Sequence, residues 1–328
     1  MQLNERSITN TPAQRTTRER IGLMVFGTDA SAIVSTIVAA EKAGVQQVWV
    51  TQGTPEPDAL TIFAAAAALT SNVRMGTAII PTYPRHPLAL AQQLLTLHDL
   101  APGRVLVGIG PSQRPVIEGI FGIPIGAPLE HLREYVTVLR AILGEDNVDY
   151  HGRFYTVKTR LPRLPRTPIL TSALRQGAFR LAGELADGAL TWLCPVPYLL
   201  QDALPAMRAG AEEKGRLVPP LMAHIPVVFG QDRQTVRALV RTEFDSGRFF
   251  GRLSFYARMF ADAGFPVASD GSWSDEFIDN MVVSGDEATI AARLRELLDQ
   301  GLDELVVMPI PRTDPISQTR LIQLIGQL

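Results

Sequence analysis

The sequence predicts an α/β fold, a (β/α)₈ TIM barrel with insertions after strands 4 and 7. Three observations carry that prediction. From Ile21 onward, short β-branched and apolar runs alternate with longer segments of helical periodicity. The short runs number eight, and each is almost continuously apolar, as parallel strands buried on both faces require. No GxGxxG follows the first run, which counts against the open dinucleotide-binding sheet that gives a similar alternation.

In chain order the strand candidates are Ile21–Phe26, Gln47–Thr51, Val73–Ile80, Arg104–Ile109, Pro168–Ser172, Ala189–Leu193, Ala223–Phe229 and Glu304–Met308. Helices are expected over Ser31–Lys42, Pro57–Ser71, Pro87–Leu100, Leu129–Leu143, Gly177–Ala186, Pro197–Lys214, Asp232–Phe244, Asp286–Gln300 and Pro315–Gly326. Repeated strand–helix units imply right-handed crossovers. The 328 residues exceed a typical domain but suit one barrel, so 21–328 is read as a single domain. The polar stretch 1–20 before it reads as a flexible tail.

Two connections are too long to be simple links. Residues 111–166 hold a hairpin candidate, Asp149–Val157, and residues 230–286 hold the aromatic-rich stretch Phe249–Phe265. Both follow strand C-termini, the end at which barrel sites assemble. Phe249, Phe250, Phe255, Tyr256 and Trp273 therefore read either as an apolar pocket or lid, or as the small core of the insertion itself.

Composition excludes several function classes. A net charge of −2 offers no excess of cations for nucleic acid. The single cysteine, Cys194, cannot form an intramolecular disulfide and suits a reducing, cytoplasmic setting; a packed, inert thiol is its default reading. The longest apolar run, around Leu60 to Leu69, is too short for a membrane span, and no secretory signal is expected. No HExxH or other close metal-ligand pair occurs among His86, His98, His131, His151 and His224, so no metal is expected. Gly108-Ile109-Gly110-Pro111-Ser112 places its serine one position too late for a nucleophile elbow.

One segment is more informative: Arg74-Met75-Gly76-Thr77-Ala78-Ile79-Ile80-Pro81-Thr82-Tyr83-Pro84-Arg85-His86-Pro87. Gly76 inside a buried strand marks a bulge or a close approach by another backbone or a ligand. His86 can cap a helix that starts at Pro87. The run GTAIIPTYPRHPLALAQQ resembles the third-strand segment of the luciferase-like monooxygenase family, and PTYPRHP is closest to members that use the deazaflavin coenzyme F-420. Further matches follow in order at Ala39–Gly44, Val48–Val50, Pro102–Gly110, Leu181–Gly188, Val283–Asp286 and Glu304–Pro309. Within these, Asp187-Gly188 also reads simply as the turn from a helix into strand six.

The resemblance implies a flavin or deazaflavin enzyme with a cofactor site at the barrel mouth. It places a non-prolyl cis peptide at Thr77–Ala78, with Gly76, Thr77 and Ala78 supporting the ring system. Gly108, Gly110, Pro111 and Ser112 would line the cofactor's side, the alternative being a tight turn. Ser172, Ala173, Leu174, Arg175 and Gln176 would hold its phosphate at a helix N-terminus. Arg175 and Gln176 stand where relatives have glycine and proline, and a solvated helix end is the plain alternative. After strand two, where relatives carry histidine or aspartate, this chain has Gln52, whose amide can hydrogen-bond but cannot act as a base. His86 is the other catalytic candidate beside its capping role; His98, His131, His151 and His224 read as structural or surface. Three functions stay open: hydride transfer between F-420 and a small organic substrate, an FMN-dependent monooxygenase served by a separate flavin reductase, and flavin binding without turnover. The alanine-rich helix around Ala64 to Ala68 is expected to pair two copies in a homodimer, against simple packing on the barrel.

Overall fold

In the computed structural model, which describes residues 15–53, 56–145, 147–161, 167–230, 232–245 and 248–328, eight parallel strands close on themselves. They are β1 (Ile21–Val25), β2 (Gln47–Val50), β3 (Arg74–Thr77), β4 (Val105–Gly110), β5 (Ile169–Ser172), β6 (Gly188–Leu190), β7 (Leu221–Phe229) and β8 (Glu304–Pro309). Each pairs with the next, and β8 closes on β1 through Ile21↔Leu305, Gly22↔Val306 and Leu23↔Val307. The predicted barrel is the observed one, and each of its strands falls where the apolar runs place it.

Eight helices clothe the barrel: α1 (Ala30–Lys42), α2 (Ala59–Ala67), α3 (Pro87–Leu100), α4 (Pro128–Gly144), α5 (Gln176–Leu185), α6 (Leu204–Glu213), α7 (Glu287–Asp299) and α8 (Pro315–Gln327). Local chemistry sets many of their starts. Asp29, Asp58, Asp286 and Asp314 each accept first-turn N–H bonds, satisfying donors that a helix end would leave open. Proline occupies the first turn of α3, α4 and α8, where its missing N–H costs nothing.

Side-chain alternation divides each strand between the helix layer and the barrel interior. Gly22, Gln47, Trp49, Arg74 and Gly76 share the interior, where the Trp49 indole fills the centre. A Cβ on Gly76 would lie 2.4 Å from the indole carbons, and one on Gly22 would lie 2.6 Å from its nitrogen. The Trp49 indole donates to Gln47 Oε1 at 3.2 Å, and Gln47 donates to Glu304 at 3.0 Å. Below them, residues 15–20, which the sequence reading places in the tail, pack against the barrel floor. Arg15 pairs with Glu304 at 2.8 Å, Arg74 donates to the Glu19 carbonyl, and Arg20 donates to the carbonyls of Leu302 and Asp303. The remainder of that tail, residues 1–14, lies outside the described residues.

Both insertions rise from strand C-termini. After β4 come a short helix, Arg114–Gly119, then α4 and an antiparallel hairpin of Val148–His151 with Thr156–Thr159. After β7 come Arg233–Val240, Ser254–Asp262 and Asp275–Met281. Two short parallel strands add to the eight: Ile80–Pro81 rejoins β4, and Val283–Gly285 pairs with the end of β7 beyond the reach of β6; three residues between helical segments give too little periodicity to be read as a strand. No helix among the described residues is long and apolar enough to cross a membrane.

Candidate active site

The interior alternation continues to the C-terminal rim and brings Phe26, Thr51, Ala78, Gly110, Ser172 and Trp192 around one concave mouth. The β3–β5 side of this mouth is built from close backbone contacts. Thr77 Oγ1 donates to the Gly108 carbonyl at 2.8 Å and accepts from the Gly108 N–H at 2.9 Å. A Cβ on Gly108 would lie 2.1 Å from the Thr77 carbonyl oxygen, and one on Gly110 would lie 2.1 Å from Ser172 Oγ. These glycines let three strands converge at the rim. Ser112, just beyond Pro111, takes a left-handed backbone with φ 59°, which turns the chain out of β4.

Two expectations are corrected here. The non-prolyl cis peptide is Ala78–Ile79, one bond later than Thr77–Ala78. The Ala78 N–H still donates to the Val50 carbonyl at 2.9 Å, so the parallel ladder runs through Ala78 before the chain departs from it. Gly76 does not face the mouth as a cofactor support; its open side is occupied by Trp49.

At the end of β5 the loop Ser172–Gln176 leads into α5. Ala173 N–H donates to the Leu190 carbonyl, and the Leu174 carbonyl accepts from Tyr198, so both residues fix the loop's path. Arg175 occupies the N-cap without a side-chain cap, and the first intrahelical donors are Ala178 and Phe179. The N–H groups of Gln176 and Gly177 therefore precede the ladder and point outward as an anion-binding end. The side chains of Arg175 and Gln176 are drawn aside. Arg175 reaches Asp262 at 3.3 Å, and Gln176 donates to Asp202 at 3.1 Å. Ser172 on the rim, with the backbone of α5 beside it, fits the phosphate end of a flavin-type cofactor.

Gln52 does not meet the mouth with its acceptor; Oε1 takes the Ala59 N–H at 2.8 Å and helps start α2. A carboxylate at this end of the barrel, Glu56, is one that the sequence reading passes over. Its Oε2 accepts from the Gly53 N–H at 2.8 Å and from the Thr51 hydroxyl in a very short bond. Thr51 continues the inward row of Gln47 and Trp49, so it draws Glu56 over the mouth. The only sequence signal was a carboxylate in the loop five positions after Thr51.

His86 caps α3, its Nδ1 accepting the Leu88 N–H at 3.1 Å, and its ring stands edge-on to Tyr155. Of the rest of PTYPRHP, Thr82 and Tyr83 face the β4 insertion, while Arg85 turns to Asp58 and Gln93. Tyr83 stacks on His131 at 3.9 Å and donates to the Gly126 carbonyl, and the Tyr155 hydroxyl meets His131 Nε2 at 2.8 Å. A cavity of about 460 Å³ lies here, lined by Tyr83, Gly126, His131, Arg153, Phe154 and Tyr155. Burial holds the His131 imidazole down to a pKa of about 4, so it is neutral within this cluster.

The opposite side of the mouth is aromatic. Trp192 stands edge-on to His224 at 5.1 Å and to Phe244 at 6.1 Å. Arg312 lies over the Phe26 ring at 4.9 Å and the Phe244 ring at 5.8 Å. His224 sits inside β7, its Nδ1 at the Thr191 carbonyl and its buried Nε2 without a partner among the described residues, and burial lowers its pKa to about 4. The Cys194 thiol is buried and pushed up to about 12, as an inert thiol should be. Phe260, Trp273 and Phe277 pack together as the insertion's own core, Tyr256 is buried with them, and Phe249 and Phe255 are exposed. Among the described residues, no group of His, Cys, Asp and Glu could hold a metal ion.

Comparison with known proteins agrees with this geometry. Residues 7–304 match the family model described as luciferase-like monooxygenase. An F-420-dependent glucose-6-phosphate dehydrogenase of Kineococcus radiotolerans is 29% identical over 294 residues, covering 82% of this chain and 84% of the relative. One of the same description from Nocardia farcinica is 28% identical over 295 residues, covering 84% and 86%. Among solved structures, the coenzyme F-420-dependent tetrahydromethanopterin reductase of Methanopyrus kandleri superposes with a TM-score of 0.73 at 22% identity, covering 94% of this chain and 97% of the other. An F-420-dependent secondary alcohol dehydrogenase in complex with an F-420–acetone adduct gives 0.76 at 20% identity, with the same coverage.

Proposed function

Since the chain belongs to the luciferase-like monooxygenase family, we propose that it transfers a hydride between coenzyme F-420 and a small organic substrate. Membership makes it an oxidoreductase that uses F-420 or FMN. The F-420-dependent relatives, aligned over more than four-fifths of the chain, support the deazaflavin. The observation that carries the reaction type is Glu56, a carboxylate held at the mouth where Gln52 cannot serve as a base.

The deazaflavin, when bound, supplies a carbon that takes up or gives back a hydride. The chain's residues do the rest. The outward N–H groups of Gln176 and Gly177, with Ser172, would hold the phosphate end, and the Ala78–Ile79 segment would support the ring system. Glu56 Oε1, which has no partner among the described residues, would take the hydroxyl proton of an alcohol or return it to a carbonyl. Trp192, Phe26 and Phe244 exclude water from the substrate side.

The test mixes the purified chain with oxidised F-420 and a panel of alcohols and follows loss of the deazaflavin's visible absorbance. Substrate-dependent bleaching is expected. Oxygen-dependent product formation with reduced FMN from a reductase, and none with F-420, would overturn the proposal. Occupancy by either cofactor with no turnover across the panel would leave a binding protein instead.

A further inference from the structure

We propose that Arg312 is the substrate-orienting group at the mouth, and that the substrate is an uncharged alcohol or carbonyl compound with an apolar body rather than a sugar phosphate. This assignment rests on the reading of the mouth as the substrate site and extends it to substrate class.

Arg312 follows β8 on the aromatic side of the rim, opposite the β3–β5 side proposed for the cofactor. Its guanidinium carbon lies over the rings of Phe26 and Phe244, at 4.9 and 5.8 Å from the ring centres. Glu243 fixes it from the insertion: Arg312 Nε donates to Oε1 at 2.5 Å, and the Arg312 backbone N–H donates to Oε2 at 3.2 Å. Phe26 continues the inward row of Gly22 and Met24, so a guanidinium over its ring overlies the mouth. The two Nη groups have no protein acceptor among the described residues. The two ring contacts and the Nε bond together hold a pair of N–H donors beside the Phe244 ring, which itself meets Trp192.

The charge balance selects the ligand. Glu243 is only 15% exposed at its side chain and neutralises Arg312. Two other arginines at this end of the barrel are paired as well, Arg85 with Asp58 at 2.6 Å and Arg175 with Asp262 at 3.3 Å. A dianionic phosphate on the aromatic side would meet the carboxylate of Glu243 as well as Arg312, a repulsion added to the cost of its desolvation. A neutral oxygen asks only for the N–H donors, and an apolar body is stabilised by the rings around them.

The experiment titrates the purified full-length chain with cyclohexanone, cyclohexanecarboxylate and glucose 6-phosphate, followed by ligand-observed NMR. Wild type should bind cyclohexanone more tightly than glucose 6-phosphate. Arg312→Met should weaken cyclohexanone binding roughly tenfold, the loss of about one good hydrogen bond, and Arg312→Lys should fall between. Glu243→Gln leaves the guanidinium charge unbalanced, and should tighten cyclohexanecarboxylate several-fold while changing cyclohexanone little. Unchanged cyclohexanone binding by a folded Arg312→Met protein, or preference of wild type for glucose 6-phosphate, overturns the assignment. Should Arg312→Met fail to fold, Glu243→Gln decides alone: no gain for the carboxylate refutes it. These titrations need no cofactor, so failure to bind F-420 would sink the functional reading without touching this one.

Discussion

Replacing Gly108 by alanine probes the seam on which the cofactor side of the mouth is built. The new methyl would sit 2.1 Å from the Thr77 carbonyl oxygen and 2.3 Å from Leu190 Cδ1, where ordinary contacts begin at 3.4 Å. Leu190 can shift by rotation, but the Thr77 oxygen is backbone in a parallel ladder, so β3 and β4 must separate. That separation strains the reciprocal Thr77–Gly108 bonds at 2.8 and 2.9 Å. Overpacking costs about 1–3 kcal/mol and each weakened bond about 1 kcal/mol, against roughly 0.5–1 kcal/mol regained from the stiffer unfolded chain. The expected net loss is about 2–4 kcal/mol, a large share of a stability of about 5–15 kcal/mol. Urea unfolding followed by far-UV circular dichroism measures it. A stability within about 0.5 kcal/mol of wild type would refute the close-packed seam. Gly110→Ala is the control: its methyl meets the Ser172 hydroxyl, a side chain that can rotate away, so stability should fall less while cofactor affinity suffers.

Other outcomes follow from the same geometry. Glu56→Gln should lower kcat by roughly 10²–10⁴-fold with the F-420 Kd nearly unchanged, and an unaltered kcat would remove Glu56 from the chemistry. Stability should fall as pH drops from about 6.5 toward about 4, because His131 and His224 are held neutral in the fold while the unfolded chain takes up their protons. Asp303 and Asp245, both raised by burial, oppose this near the lower end of that window. Urea midpoints across this range check the sign, and His224→Asn should flatten the slope. We propose a homodimer through α2 and the turn that follows it, where Ala65, Ala68 and Leu69 are exposed; light scattering should give twice the chain mass, and Ala68→Glu should halve it.

The barrel was legible because its strands are buried on both faces, so local apolar runs coincide with tertiary elements. The start of α3 was legible at His86-Pro87, where capping chemistry is contiguous in sequence. What escaped depends on partners distant along the chain. Gly76 reads as a ligand approach until Trp49 is seen to fill its open side. The cis bond shifts by one residue because the Ala78–Val50 bond keeps Ala78 in the ladder. Residues 15–20 read as a polar tail, yet their charges meet Glu304, Leu302 and Asp303 at the opposite end of the sequence. Glu56 gains its meaning only when Thr51 and Gly53 hold it over the rim. Arg175 and Gln176 read as phosphate-binding side chains until Asp262 and Asp202 are found holding them.

The most direct test of the central claim is an equilibrium titration of the purified chain with F-420 and, separately, with FMN, read by quenching of cofactor fluorescence. The account predicts saturable binding of F-420 markedly tighter than FMN, weakened when Ser172 is replaced by bulky leucine. Tighter binding of FMN, or binding of neither, would contradict it.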